Sequence, residues 1–335
     1  MDQLSAHLDR GWDLASRGDF EGAWTSAQKT LELDDQCAEA HNLLGYIRAA
    51  QGEVEDALEH YRHAMDLDDS LIEAKLNAAE VLIHPLHDFD EAIELANDAL
   101  DIARESDEIA EAMLLKIDAL LHRGDAEHAS RVAGGLPIGP FERAGLDFMV
   151  GRAKFEVGDL IGAEPLLRAA FEREKNNGDV LYVWGLFLRA QQKTQESLIW
   201  LLAAREADQR TPSWPWSLEP GAFRTRVDAA LARLEESARA KIVDVAVIVA
   251  DLPGAEVVTG GVDPRAGVHW DGCQDEPSES QSPSFLFVYQ RNIERIAHGG
   301  GDVEDEILHC LEHLLASDSE PPSDLPQLPV ASVLV

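Results

Sequence analysis

Two histidines four residues apart, His309 and His313, stand near the C-terminal end of the chain in the string His309-Cys310-Leu311-Glu312-His313. On a helix this spacing brings both imidazoles to one face within a turn, which is how a pair of ring nitrogens reaches a single zinc ion. At about 100° per residue Cys310 falls about 80° to one side of the pair and Glu312 about 80° to the other. Glu312 is therefore the acid that mirrors Cys310 across the histidine pair. A thiol at Cys310 coordinates zinc or oxidises rather than shuttling protons as a carboxylate does. The plainer reading is a helix with a buried structural cysteine and two histidines that hold nothing.

Composition bounds what such a site can serve. The 335 residues include 63 acidic and 28 basic side chains, a formal charge of -35. That charge repels a phosphate backbone and an anionic membrane surface, and no basic stripe with interleaved aromatics offsets it. A basic or mixed-charge protein or peptide is the favoured partner, against the bland reading of acidity as solubility alone. Three widely spaced cysteines (Cys37, Cys273, Cys310) give no disulfide framework, and the start Met1-Asp2-Gln3-Leu4 lacks the basic and apolar regions of a signal peptide. Cytoplasm is the expectation. The longest apolar run, Ile242 to Ala250, is too short to span a bilayer and suits a strand.

The element order is set by a repeat. Gly52-Glu53-Val54-Glu55-Asp56-Ala57 returns as Gly18-Asp19-Phe20-Glu21-Gly22-Ala23, 34 residues earlier, and as two later copies beginning at Gly124 and Gly158, themselves 34 apart. Each unit reads as a helix, a turn at Gly-Asp/Glu, and a second helix with Ala five residues on, where crossing helices need a small side chain. Leu44, Gly45, Gly52, Ala57, Tyr61 and Ala64 show the pattern most fully, and it resembles the tetratricopeptide repeat. Ala79, His87, Ala92 and Ala99 make a third unit with one extra residue near His84-Pro85; Gly185, Gln192, Ser197 and Ala204 make the sixth. About six helix pairs over 1-212 are expected, an α-solenoid.

The resemblance places the first helix of each pair along a concave groove. Register from the turn residue then puts Trp12, Glu39, Asn42, Tyr46, Glu73, Glu80, Glu111, Asp118, Phe148, Arg152, Phe155 and Tyr182 in it. That groove is acidic and aromatic, unlike relatives that hold a C-terminal carboxylate with basic residues. It suits a basic or mixed extended peptide; otherwise it is a merely solvated face. His60, His63, His84, His87 and His122 read as scattered helix-surface or turn residues.

Thr211-Pro212-Ser213-Trp214-Pro215-Trp216 ends the array. A helix over Ala222 to Ala238, a strand over Ile242 to Val249, a long loop, a strand over Phe285 to Tyr289, a short helix and a final helix from about Asp302 to Ala316 follow, a small α+β domain over 213-318 with a Pro-rich tail over 319-335. This order, with Asp263-Pro264-Arg265 and Val288-Tyr289-Gln290-Arg291-Asn292-Ile293-Glu294-Arg295 before a helix bearing two histidines, resembles the minimal zincin-like metallopeptidase domain. The resemblance implies zinc on His309 and His313. The family's His-Glu-x-x-His has Cys310 in place of its Glu, and Ala316 replaces a Gly. His309-x-x-Glu312-His313 also spells the inverted zincin pattern, but too little chain follows to supply that family's distant third ligand. The expectation is a scaffold whose zincin-like domain has lost peptidase chemistry, with no cofactor assigned beyond the zinc that its histidine pair could hold. The alternative is a zinc metallopeptidase on His309 and His313, with Glu312 in place of the family's base and Asp318 or Glu320, which lie near the family's third-ligand place but out of clean register, completing the shell.

Overall fold

The structure is a computed structural model and describes residues 3–243, 245–271, 285–297 and 301–316. Twelve helices come first, as six consecutive pairs: α1 (Gln3–Ser16) with α2 (Phe20–Leu33), α3 (Ala38–Ala50) with α4 (Val54–Leu67), α5 (Ile72–Ile83) with α6 (Phe89–Ile102), α7 (Ser106–His122) with α8 (Ala126–Ala133), α9 (Leu146–Glu156) with α10 (Leu160–Arg173), and α11 (Gly178–Ala190) with α12 (Thr194–Arg210). The number matches the repeat count.

The recurring Gly-Asp pair has a local cause. Gly18, Gly52, Gly124 and Gly158 take φ of +77°, +80°, +83° and +85°, a left-handed turn that closes the first helix. The amide of the next residue then bonds back five residues, as in Glu53 N to Arg48 O at 2.9 Å and Asp125 N to Leu120 O at 2.8 Å. The Asp opens the second helix: Asp19 Oδ1 accepts from Gly22 N and Asp159 Oδ1 from Gly162 N, each at 2.9 Å. His87 (φ +55°) and Gln192 (φ +63°) hold the same left-handed place in the third and sixth pairs. The third turn is longer, residues 84–88 where the others use three, so Asp88 N reaches Leu82 O, six residues back, at 2.8 Å. Small residues let the helices close: a Cβ on Gly45 would meet the Tyr61 ring at 2.5 Å.

The chain forms two compact units, one running to Ala169 and the other beginning at Ala170, within α10. The first has a core of Ala, Leu and Ile from α4 to α10, with Leu82, Leu115 and Leu120 fully buried, and a smaller one around Ala23, Leu43 and Ile47.

The second unit adds to α11 and α12 the helices α13 (Pro220–Arg233), α14 (Glu236–Lys241), α15 (Ala255–Thr259), α16 (Gln290–Ile296) and α17 (Val303–Ala316), and the strands β1 (Ala246–Ala250), β2 (Val268–Asp271) and β3 (Phe285–Tyr289). The strands form one sheet in the order β1-β3-β2. β1 runs parallel to β3, Ile248 opposite Phe287, and β2 runs antiparallel to it, Trp270 opposite Leu286. Phe223, Val227, Leu286, Val288, Ile293, Val303, Ile307 and Leu311 form its core. Three elements differ from the sequence reading. The helix placed over Ala222 to Ala238 breaks at Leu234, whose extended backbone (ψ 144°) sends a nearly fully buried side chain into that core. The strand placed from Ile242 begins at Ala246. β2 lies in the stretch read as loop, because its pairing with β3 is a tertiary partner that no local propensity reports.

Candidate functional sites

The predicted groove positions of the first unit divide by burial. Glu39 and Glu73 are exposed, and Trp12, Tyr46, Glu80, Glu111, Phe148 and Arg152 half-buried. Trp12 and Tyr46, at matching positions of α1 and α3, pack with ring centroids 5.3 Å apart and planes tilted by 58°. Glu111 pairs with Arg143, and Arg152 with Glu156 at 2.6 Å, so the one cation of the set answers an acid on its own helix. Asn42, Asp118 and Phe155 are buried. Asn42 Oδ1 accepts from Asn77 Nδ2 at 3.0 Å, a bond between successive first helices. Tyr182 lies in the second unit, also buried, and donates to Asp263 Oδ2 at 2.9 Å.

That tyrosine belongs to a network using the strings that suggested a zincin. Arg265, 7% exposed, forks onto Asp208, 4% exposed, at 2.9 and 3.0 Å, and reaches Asp179 at 2.8 Å. Its guanidinium lies 4.4 Å over the Tyr182 ring. Arg295 meets Asp208 at 2.7 Å, Arg291 donates to the Asp208 carbonyl at 2.8 Å, and Asn292 donates to the carbonyls of Pro264 and Ala266. Asp263-Pro264-Arg265 and Arg291-Asn292 through Arg295 thus bind α11 and α12 to the sheet-bearing part of the same unit, and their residue types have a structural cause.

On α17 the stripe Val303, Ile307, Leu311 and Leu315 packs into the core, while His309, Glu312 and His313 lie on exposed positions. Burial, with the Glu306 charge adding to it, pushes the Cys310 thiol up to about 12. It is neutral at physiological pH and unsuited to act as nucleophile or base. Among the described residues, no close group of three metal-ligating side chains includes His309 or His313. Asp318 and Glu320 lie outside the described residues.

Such a group exists elsewhere. His84, Asp118 and His122 place their ligating atoms within 4.8 Å of one another. His84 follows α5 as its C-cap and is 7% exposed, not a surface residue, and Asp118 and His122 are four apart on α7. The Asp-x-x-x-His spacing was legible in the sequence. That His84 joins it depends on the lengthened third turn and was not.

Residues 8–71 and 148–212 match the tetratricopeptide repeat model. No curated protein matches the chain. Among solved structures, the pilF protein of Pseudomonas aeruginosa is 15% identical, with a TM-score of 0.52, over 62% of this chain and 93% of that one. PilW, a type IV pilus biogenesis factor, is 18% identical with a TM-score of 0.46, over 62% of this chain and 91% of its own. YrrB, a repeat protein with an unusual peptide-binding site, is 19% identical with a TM-score of 0.41, over 55% and 93%. The matched residues stop at 212, so the zincin resemblance rests on its sequence strings alone. No described helix is long and apolar enough to cross a membrane. The helix pairs and their left-handed turns agree with the matched segments: residues 8–71 and 148–212 match tetratricopeptide repeats within a solenoid of six helix pairs.

Proposed function

We propose that this chain is a protein-interaction scaffold whose repeats receive an extended peptide of basic or mixed charge. The observation that carries the reading is the acidic surface of successive first helices, exposed at Glu39 and Glu73 and half-buried at Glu80 and Glu111, beside the Trp12–Tyr46 aromatic pair. Aromatic faces supply contact area and the carboxylates steer and select a cationic ligand. Asn42, Asp118 and Phe155 support these helices from within rather than touching the peptide.

The test is a fluorescence-anisotropy titration of Lys/Arg-containing peptides against the intact protein and a Glu39→Lys/Glu73→Lys/Glu111→Lys variant. Three partly exposed charges are each worth about 0.5 kcal/mol, so reversal should weaken binding by about 10-fold or more and flatten its salt dependence. Equal affinity for both proteins would rule the acidic surface out.

The sheet-bearing part of the second unit acts in this reading as a structural or partner-binding module without peptidase chemistry. The exposed histidine pair and the neutral Cys310 thiol support that. Chelator-sensitive cleavage of casein, abolished by His309→Ala with His313→Ala, would reverse it in favour of a zinc hydrolase with Glu312 as base.

A further inference from the structure

Asp118 is the unexplained group of the first unit. Its side chain is 4% exposed, and neither carboxylate oxygen receives a hydrogen bond, although a buried carboxylate ordinarily accepts two or more. What faces those oxygens is a pair of imidazoles. His84 Nε2 lies 3.1 Å from Oδ2 and His122 Nε2 lies 3.6 Å from Oδ1. Burial raises the Glu156 carboxyl above its ordinary value, the Asp118 charge raises it further, and Arg152 answers it at 2.6 Å. A positive charge beside Asp118 is what this pocket calls for.

We propose that His84, Asp118 and His122 form a site for one divalent transition-metal ion of the zinc class. Two imidazole nitrogens and a carboxylate oxygen are the donor set of open zinc sites, which keep a fourth position for water or an incoming donor. Donors at zinc-ligand distances on a tetrahedron are about 3.3 Å apart; the three ligating atoms here lie within 4.8 Å of one another. The site is built into the fold. His84 comes from the turn after α5, Asp118 and His122 from α7, and the Phe89 ring stacks on His122 at 5.7 Å with planes 13° apart. His122 is the most exposed donor, its side chain 33% accessible, so the fourth position opens to solvent on its side. A bound ion would tie the third repeat to the fourth.

The experiment titrates the full chain, after chelator treatment, with zinc chloride and separately with cobalt chloride, against Asp118→Asn, His122→Gln and a His309→Gln/His313→Gln variant. The expected result is one equivalent bound, a cobalt spectrum in the visible range typical of four-coordination, and a melting temperature raised by zinc. Asp118→Asn and His122→Gln should each weaken binding by about 100-fold or more and lose the melting shift, while the C-terminal variant keeps both. Should Asp118→Asn fail to fold, as its circular dichroism would report, His122→Gln decides alone, because its side chain is the least buried of the three. The proposal is overturned if the parent protein binds no stoichiometric metal, if His122→Gln binds as tightly as the parent, or if only the C-terminal variant loses the ion.

Discussion

At the scale of single residues the turns separate backbone strain from packing. A side chain on Gly52 would meet no atom within 4 Å, so Gly52→Ala tests the left-handed φ alone and should cost about 1–2 kcal/mol in urea unfolding. His87 occupies the equivalent place with a β-carbon, and relief of that strain less the flexibility of glycine should make His87→Gly stabilising by about 0.5–1 kcal/mol. Gly45→Ala fails for the other reason. Its methyl runs into a Tyr61 ring that is itself 1% exposed, and overpacking should cost about 1–3 kcal/mol, recovered in part by Tyr61→Leu. If Gly52→Ala and Gly45→Ala respond alike to Tyr61→Leu, the distinction is wrong.

At the scale of elements, α3 and α4 share a histidine cluster. His41 and His63 meet edge to face at 4.2 Å, and His60 lies 5.9 Å from His41. Burial first, then the neighbouring imidazoles, holds His41 down at about 4, and burial with Arg48 also lowers His60 against the opposing pull of Asp56 and Glu59. The native state therefore prefers His41 neutral, whereas the unfolded chain protonates near the ordinary histidine value of about 6.5. Its effect on stability is nil above that value and becomes a loss as the pH falls toward 4. Melting curves of the parent and His41→Gln should converge above pH of about 7 and diverge below about 6, the parent losing more. In the second unit, Arg265→Ala leaves Asp208 buried with one fewer partner. It should destabilise by about 3–5 kcal/mol, with faster amide exchange in α12 and α16. What the sequence disclosed at this scale was whatever repeats or alternates locally: the six pairs, the end of α12 before Pro212, and β3. What it hid was made by partners distant in the chain, namely β2 against β3, the Arg265 network, and His84 beside Asp118.

At the scale of the molecule, a charge of -35 makes self-repulsion a standing cost of compactness. The screening length falls from about 10 Å at 0.1 M salt to about 3 Å at 1 M. Sodium chloride should therefore raise the melting temperature while weakening any basic peptide, opposite signs in one titration; a fall in both would count against charge as the common cause. Residue types at the candidate sites were visible in the sequence, but burial was not, and burial is what sets Asp118 and Asn42 apart from Glu39 and Glu73. The longer third turn carries one last implication. Because a modular array tolerates a small insertion between helices without rewriting the modules around it, an indel can hand a new donor atom to the neighbouring module at one stroke. Homologues whose third linker has the ordinary length should accordingly lack the Asp-x-x-x-His pair on the following helix, the two traits being gained or lost together.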